Sequence, residues 1–330
     1  MEVKKLDSCP NKNPLLPIKV KEMGNITELT YMEHRNTKQT IQMLPGVNEN
    51  GKKEFVDLSS GEVKECNSYD SRLDNKKGLR KTFSLARDLI NTNVVDVDNV
   101  RWITLTYEPN MTDTKQLYSD FKKFNQRFKR YCLKNNYGVP EYIVMMEPQG
   151  RGAWHAHLLY IWDFKAPYIP NDELYSIWRQ GWTKIKKLDN VDNVGAYLTA
   201  YLGDMEFEEY TDSYNLSGYE EIKVVEVEEE GKKISKRYIK GARLKLYPPN
   251  FNMIRYSRGI KKPISYLSSQ EYAEKKVSSA KLTYESTFAL TDSYSDFTNV
   301  INKRYYNRIR TWIQFHVYDY FNLLYVFFQV

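Results

Sequence analysis

Between Val100 and Gly203 the apolar pattern switches repeatedly between the two-residue period of strands and the helical period of about 3.6. That alternation constrains the fold more than any other feature of the chain. The run VRWITLTYE, starting at Val100, alternates and is rich in Val, Ile, Thr and Tyr, the composition of a strand. Thr114 to Asn135 then spaces Leu117, Phe121, Phe124, Phe128 and Tyr131 so that they form one helical stripe, with Thr112 as a candidate N-cap. Glu141 to Met146 and Ala153 to Trp162 are two further strand-like runs, joined by EPQGRG, whose Gly150 and Gly152 suit a hairpin turn. Asn171 or Asp172 can cap a helix through Gln180 that Gly181 ends, and Trp182 to Lys187 reads as a short strand. Asp192 or Asn193 can cap a last helix through Leu202, stopped by Gly203. The order strand, helix, strand, strand, helix, strand, helix predicts an α+β fold. It is a ferredoxin-like or RNA-recognition-motif-like split βαβ plan, an antiparallel sheet with helices on one face.

The flanks read differently. Residues 1–98 are polar and broken by Pro45-Gly46, Asn50-Gly51 and Ser60-Gly61, with one helix expected from Leu79 to Ile90, so they are assigned as an N-terminal extension to a core at 99–204. Residues 205–265 are expected to append a long hairpin around Glu230-Gly231 and a basic segment, and 266–330 form a C-terminal tail. The tail ends in the apolar, aromatic Phe315 to Val330, too short and too interrupted by Asp319 and Asn322 to span a bilayer, and is expected to pack as a terminal segment. The N-terminal sequence carries no apolar run of a secretion signal, so the chain is expected to be soluble and cytoplasmic. Cys9, Cys66 and Cys132 stand too far apart in sequence for a zinc-type pair and do not suggest a disulfide framework. With 49 Lys and Arg against 42 Asp and Glu, the formal charge of +7 leans towards a polyanionic partner. Lys122, Lys123, Lys129 and Arg130 lie mostly off the apolar stripe of their helix, as a solvated face or a contact to the DNA backbone, and Arg151 sits at the hairpin turn.

Two motifs carry chemistry. Residues two apart on a strand share a face, so His155 and His157 present two imidazoles together, with Ala156 turned away. Glu147, on the partner strand of the hairpin, falls across the ladder from them. Two nitrogens and a carboxylate make a three-ligand site with positions open to substrate, suited to Mg²⁺ or Mn²⁺ acting on a phosphate. The alternative uses are two hydrogen-bonded histidines and a carboxylate in a surface ion pair. Tyr197 and Tyr201, four apart on a helix, share a face. The spacing alone says little, because Tyr210 and Tyr214 repeat it. A phenol is a weak nucleophile at neutral pH, so attack on a phosphodiester needs a cation to polarise the phosphate. Packing of the helix is the competing role.

With WITLTY, RGAWHAHLL and VGAYLTAYLGD in this order, residues 100 to about 204 resemble the HUH endonucleases, and among them the rolling-circle replication initiators of the filamentous-phage gene II protein type. Lys240 to Pro263 also resembles the segment following the core in replication proteins of Gram-positive plasmids and integrative elements. The resemblance implies nicking of one DNA strand at an origin through a 5′-phosphotyrosine link, with later joining of strands. It implies His155, His157 and Glu147 as metal ligands, Tyr197 as nucleophile and Tyr201 as a second one. It further implies origin DNA, single-stranded or supercoiled, with a host helicase and polymerase as partners in a bacterial cytoplasm. Many members carry Lys three residues after the first tyrosine, where this chain has Ala200. No P-loop is present, consistent with a borrowed helicase. A relaxase would place the tyrosine ahead of the histidines, and a single-strand transposase is usually more compact. From another class, a binding module could hold single strands by stacking on Trp102, Tyr107 and Trp162 without cutting them.

Overall fold

A computed structural model describes residues 2–9, 12–35, 40–188, 193–199, 204–206, 222–229, 232–239, 241–292 and 297–309. The chain opens with β1 (Glu2–Leu6), β2 (Ile18–Met23) and β3 (Ile26–Met32). Then come β4 (Ile41–Met43), β5 (Glu54–Asp57), β6 (Val63–Glu65) and helix α1 (Lys76–Asn93). The middle holds β7 (Val100–Thr106), α2 (Thr114–Lys134), β8 (Glu141–Pro148), β9 (Trp154–Ile161), α3 (Asn171–Trp178), β10 (Thr183–Lys186) and α4 (Val194–Thr199). After it follow β11 (Met205–Glu206), β12 (Ile222–Glu229), β13 (Lys232–Ile239), a 3₁₀ turn (Ala242–Leu246) and β14 (Ile254–Tyr256). The last are β15 (Ile264–Ser268), α5 (Gln270–Val277), β16 (Lys281–Thr291) and β17 (Thr298–Asn307).

The middle segment forms one antiparallel sheet in the order β10-β7-β9-β8-β14. Its first four strands have the order expected of a split βαβ plan, and β14, from the segment beyond, extends the edge at β8. On one face the stripe of α2 buries Leu117, Phe121, Phe124 and Phe128, and Phe128 stacks on Tyr160 of β9 at 4.3 Å between ring centroids. Burying four such side chains stabilises the fold by roughly 2–3 kcal/mol each before the entropy cost is counted. Asp113, not Thr112, caps α2, its carboxylate accepting from the Lys115 N–H at 2.7 Å. α3 ends at Trp178, two residues short of Gln180, because Arg179 takes the left-handed cap conformation at φ 65°. Gly181 serves another purpose: a Cβ there would stand 2.5 Å from the Thr106 carbonyl oxygen and 2.4 Å from the Glu108 nitrogen. The lack of a side chain lets the chain pass against β7.

The two flanks share a sheet. β2 and β3 from the polar N-terminal region join β15, β16 and β17 in the order β1-β16-β17-β3-β2-β15. β4, β5 and β6 make a small separate sheet, and β12 and β13 pair as the expected hairpin, with β11 on β13. The expected helix at Leu79 to Ile90 is α1, and its Leu79, Ala86, Leu89 and Ile90 join the same core cluster as the middle sheet. α4 docks on α1 through Gly195, whose N–H donates to Asn91 Oδ1 at 2.8 Å. A Cβ at Gly195 would lie 2.4 Å from the Arg87 carbonyl oxygen. No helix among the described residues is long and apolar enough to cross a membrane. Phe315 to Val330 lies outside those residues.

Candidate metal centre

The β8–β9 hairpin closes through Gln149 and Ala153, with Gly152 at φ 88° and its N–H donating to the Gln149 carbonyl at 2.8 Å. That turn fixes the register in which Glu147 lies opposite His155, and Met145 opposite His157. On the other side of β9, β7 sets Thr106 opposite His155 and Thr104 opposite His157. Trp154, Ala156, Leu158 and Tyr160 are buried, and Tyr160 stacks on α2, so the two histidines occupy the face away from that helix.

Glu147, His155 and His157 bring one donor atom each to within 4.8 Å of one another. The His157 Nε2 and Glu147 Oε1 atoms are 2.8 Å apart, and His157 Nδ1 is 3.2 Å from Thr104 Oγ1. The threonine therefore orients the imidazole, as an outer partner of a metal-bound histidine does. His155 Nε2 is buried and has no hydrogen-bond partner. A buried nitrogen left so is costly unless something else occupies its lone pair, and a cation shared with the other two donors fits. Burial, with the charges of His157 and Arg243, pushes His155 down to about 3 and keeps it a neutral ligand at physiological pH. Burial alone would raise Glu147, but Arg243 and His157 hold it at about 2, a carboxylate. The donor set N, N, O is thus in its binding-competent protonation state and suits Mg²⁺ or Mn²⁺.

Arg243, absent from the sequence-derived set, reaches this site from the 3₁₀ turn. Its Nη1 donates to Glu147 Oε1 and to the Pro148 carbonyl, both at 3.3 Å. Thr104 was also missed, although its register with His157 follows once β7 and β9 are paired. Along the same face, Trp102 of β7 meets His157 edge to face at 6.2 Å, and Lys186 of β10 stands 4.5 Å over the Trp102 ring.

Tyr197 lies on α4, the helix docked on α1, and Tyr201 lies outside the described residues. Arg151 stands at the hairpin turn, its Nη2 donating to the Tyr107 carbonyl at 2.9 Å. Lys122, Lys123, Lys129 and Arg130 are on α2, behind the sheet, and do not line the histidine face. Of the three aromatic platforms, Tyr107 and Trp162 are buried, their polar atoms donating to Asp120 Oδ2 and to the Tyr137 carbonyl. Only Trp102 is partly exposed.

Neither a curated protein nor a solved structure gives a significant match to the chain. Residues 100–206, from the first residue of β7 to the last of β11, match a family of replication-associated proteins, that of ORF2 and the gene II protein. The segment that carries the three donors and α4 is therefore similar to proteins of replication, and the similarity supports a rolling-circle replication initiator.

Proposed function

We propose that this protein nicks and rejoins one strand of origin DNA as an HUH-type rolling-circle initiator, with Tyr197 as nucleophile. The observation that carries the reading is the group Glu147, His155 and His157, assembled on one sheet face inside the segment that matches a replication family. A divalent cation held by these donors supplies a Lewis acid for the scissile phosphate. The chain's residues do the rest. Thr104 fixes the His157 ring, Arg243 holds the Glu147 carboxylate, and α1 supports the helix on which Tyr197 sits.

In the reaction the Tyr197 phenol loses its proton and its oxygen attacks phosphorus. The bond from phosphorus to the 3′ oxygen breaks, leaving a 5′-phosphotyrosine and a 3′-hydroxyl that has gained a proton. One phosphodiester is exchanged for another, so the reverse attack by a 3′-hydroxyl rejoins the strand. Tyr201 is the second nucleophile of this scheme, and Arg151 the DNA contact at the hairpin turn. Lys122, Lys123, Lys129 and Arg130 serve only DNA that runs beyond the nicking site. A host helicase and polymerase act on the nicked origin in the bacterial cytoplasm.

The test is covalent capture of labelled single-stranded origin DNA on a denaturing gel, with Mn²⁺ or with a chelator. Capture by the wild type in Mn²⁺, lost in Tyr197→Phe, is expected. Undiminished capture by a variant with both Tyr197 and Tyr201 changed to Phe would overturn the mechanism. Retention of DNA without any cleavage would identify a binding module instead.

A further inference from the structure

Arg243 is buried, and its hydrogen bonds run to two parts of the chain that are far apart in sequence. Its Nη1 donates to Glu147 Oε1 and the Pro148 carbonyl at the end of β8. Its Nε donates to the backbone carbonyl of Asp204, just beyond the tyrosine motif. The connection is reciprocal, because the Asp204 carboxylate accepts from the Gly241 N–H at 2.9 Å, two residues before Arg243. Gly241 takes φ 68°, the left-handed region, as the chain turns into the 3₁₀ segment that delivers the arginine. The stretch between Asn193 and Asp204, which carries both tyrosines, is thereby anchored at two points. One is Asn91 of α1, holding Gly195. The other is Arg243, holding Asp204 beside the metal donors.

From this we infer that Arg243 is a positioning residue: it ties the end of the tyrosine-bearing stretch to the carboxylate of the metal centre, so that nucleophile and metal donors are set relative to each other by one guanidinium. The inference rests on the function proposed above. The chemistry asks for arginine in particular. A planar guanidinium offers donors in a fixed fork and can satisfy a carboxylate and two carbonyls in separate directions, whereas an ammonium is a single compact charge on a flexible stem. Lysine at this position would keep the positive charge near Glu147 and lose the tie.

Arg243→Lys therefore separates the two roles. Mn²⁺ affinity, measured by titration calorimetry, should stay within about threefold of the wild type, since the charge near Glu147 is kept. Covalent capture at saturating oligonucleotide should slow by at least about tenfold with KM unchanged, the signature of a misplaced reacting group. A second readout needs no catalysis. In the wild type, Mn²⁺ should slow amide exchange at 194–199 and 204–206, and in Arg243→Lys that protection should be absent. Capture by Arg243→Lys at the wild-type rate, or a loss matched by an equal loss of Mn²⁺ affinity, would overturn the inference. So would exchange at these amides that Mn²⁺ leaves unchanged in the wild type, a measurement that stands even if the variant does not fold. Failure of the wild type to capture DNA at all would instead count against the proposed function, leaving the exchange experiment to judge the tie.

Discussion

The middle sheet and the six-stranded sheet each bury a glutamate, and the two are solved differently. Glu147 on β8 and Glu28 on β3 are both buried, and both are held at about 2 although burial alone would raise them. Around Glu28 the compensation is cationic. Lys21 Nζ lies 3.1 Å from Glu28 Oε2 and 2.9 Å from Asp88 Oδ2, and Lys303 and Arg87 add their charges. Around Glu147 there are one guanidinium and two imidazoles, of which His155 is neutral with a buried, unpartnered nitrogen. A carboxylate surrounded by ammonium and guanidinium groups is a structural joint. One flanked by neutral nitrogen lone pairs can share a cation. The joint at Glu28 also serves the site at a distance, because Asp88 and Arg87 belong to α1, on which α4 docks.

Exchanging the two carboxylates for amides should make the difference plain. Glu147→Gln removes the anionic donor and is expected to weaken Mn²⁺ binding by more than about a hundredfold in calorimetry, since even outer partners of metal ligands are worth ten- to a hundredfold. Glu28→Gln should leave Mn²⁺ affinity unchanged. It should instead lower stability by about 3–5 kcal/mol in urea unfolding, the usual result of removing one partner from a buried ion cluster. If Glu28→Gln weakens metal binding as strongly as Glu147→Gln, the two carboxylates do not play separate parts.

Acid should separate them again, in metal-free protein. The His155 pKa falls from an ordinary 6.5 to about 3 on folding, so the unfolded chain binds the extra proton between those values. Its contribution is complete above pH 6.5 and is lost progressively as pH falls towards 3. Glu28, ordinarily near 4.5 and held at about 2, has the same sign in a lower window: stability is full above pH 4.5 and is lost as pH falls towards 2. Unfolding midpoints at a series of pH values should show His155→Asn flattening the slope between pH 6.5 and 4.5, and Glu28→Gln flattening only the slope below it. A His155→Asn profile parallel to the wild type throughout would show that this histidine does not titrate as its burial demands.

The sequence made the middle segment legible because its signals are local. The stripe of α2, the turn at Gly152 and the alternation of β7 and β9 each declare themselves within a few residues, and Glu147 meets His155 across a hairpin that one turn specifies. The six-stranded sheet declares nothing locally. β3 buries Thr27, Glu28 and Thr30 beside Leu29 and Tyr31, so polar residues sit inside and the alternation that marks a half-buried strand disappears. Its partner β17 lies at the far end of the chain, pairing Thr30 with Lys303. Arg243 was hidden for the same reason, since nothing near it in sequence marks a contact to Glu147. The basic face of α2 is the opposite case: visible in sequence, yet carried behind the sheet by the same stripe that made the helix recognisable.

The smallest effect expected lies where the two regions meet, at the docking of α4 on α1. Asn91→Ala removes the acceptor of the Gly195 N–H in a buried setting and should cost about 1–3 kcal/mol of stability. Gly195→Ala places a methyl group 2.4 Å from the Arg87 carbonyl oxygen, and only a shift of α4 relieves that contact. Overpacking of this kind costs about 1–3 kcal/mol when the backbone yields. Because Glu147, His155 and His157 all lie on the middle sheet, neither change should alter Mn²⁺ affinity, while both should slow covalent capture by moving the helix that bears Tyr197. Capture at the wild-type rate in Gly195→Ala, with the stability loss present, would mean that the position of α4 does not set the chemistry. The α1–α4 contact would then belong to the fold alone.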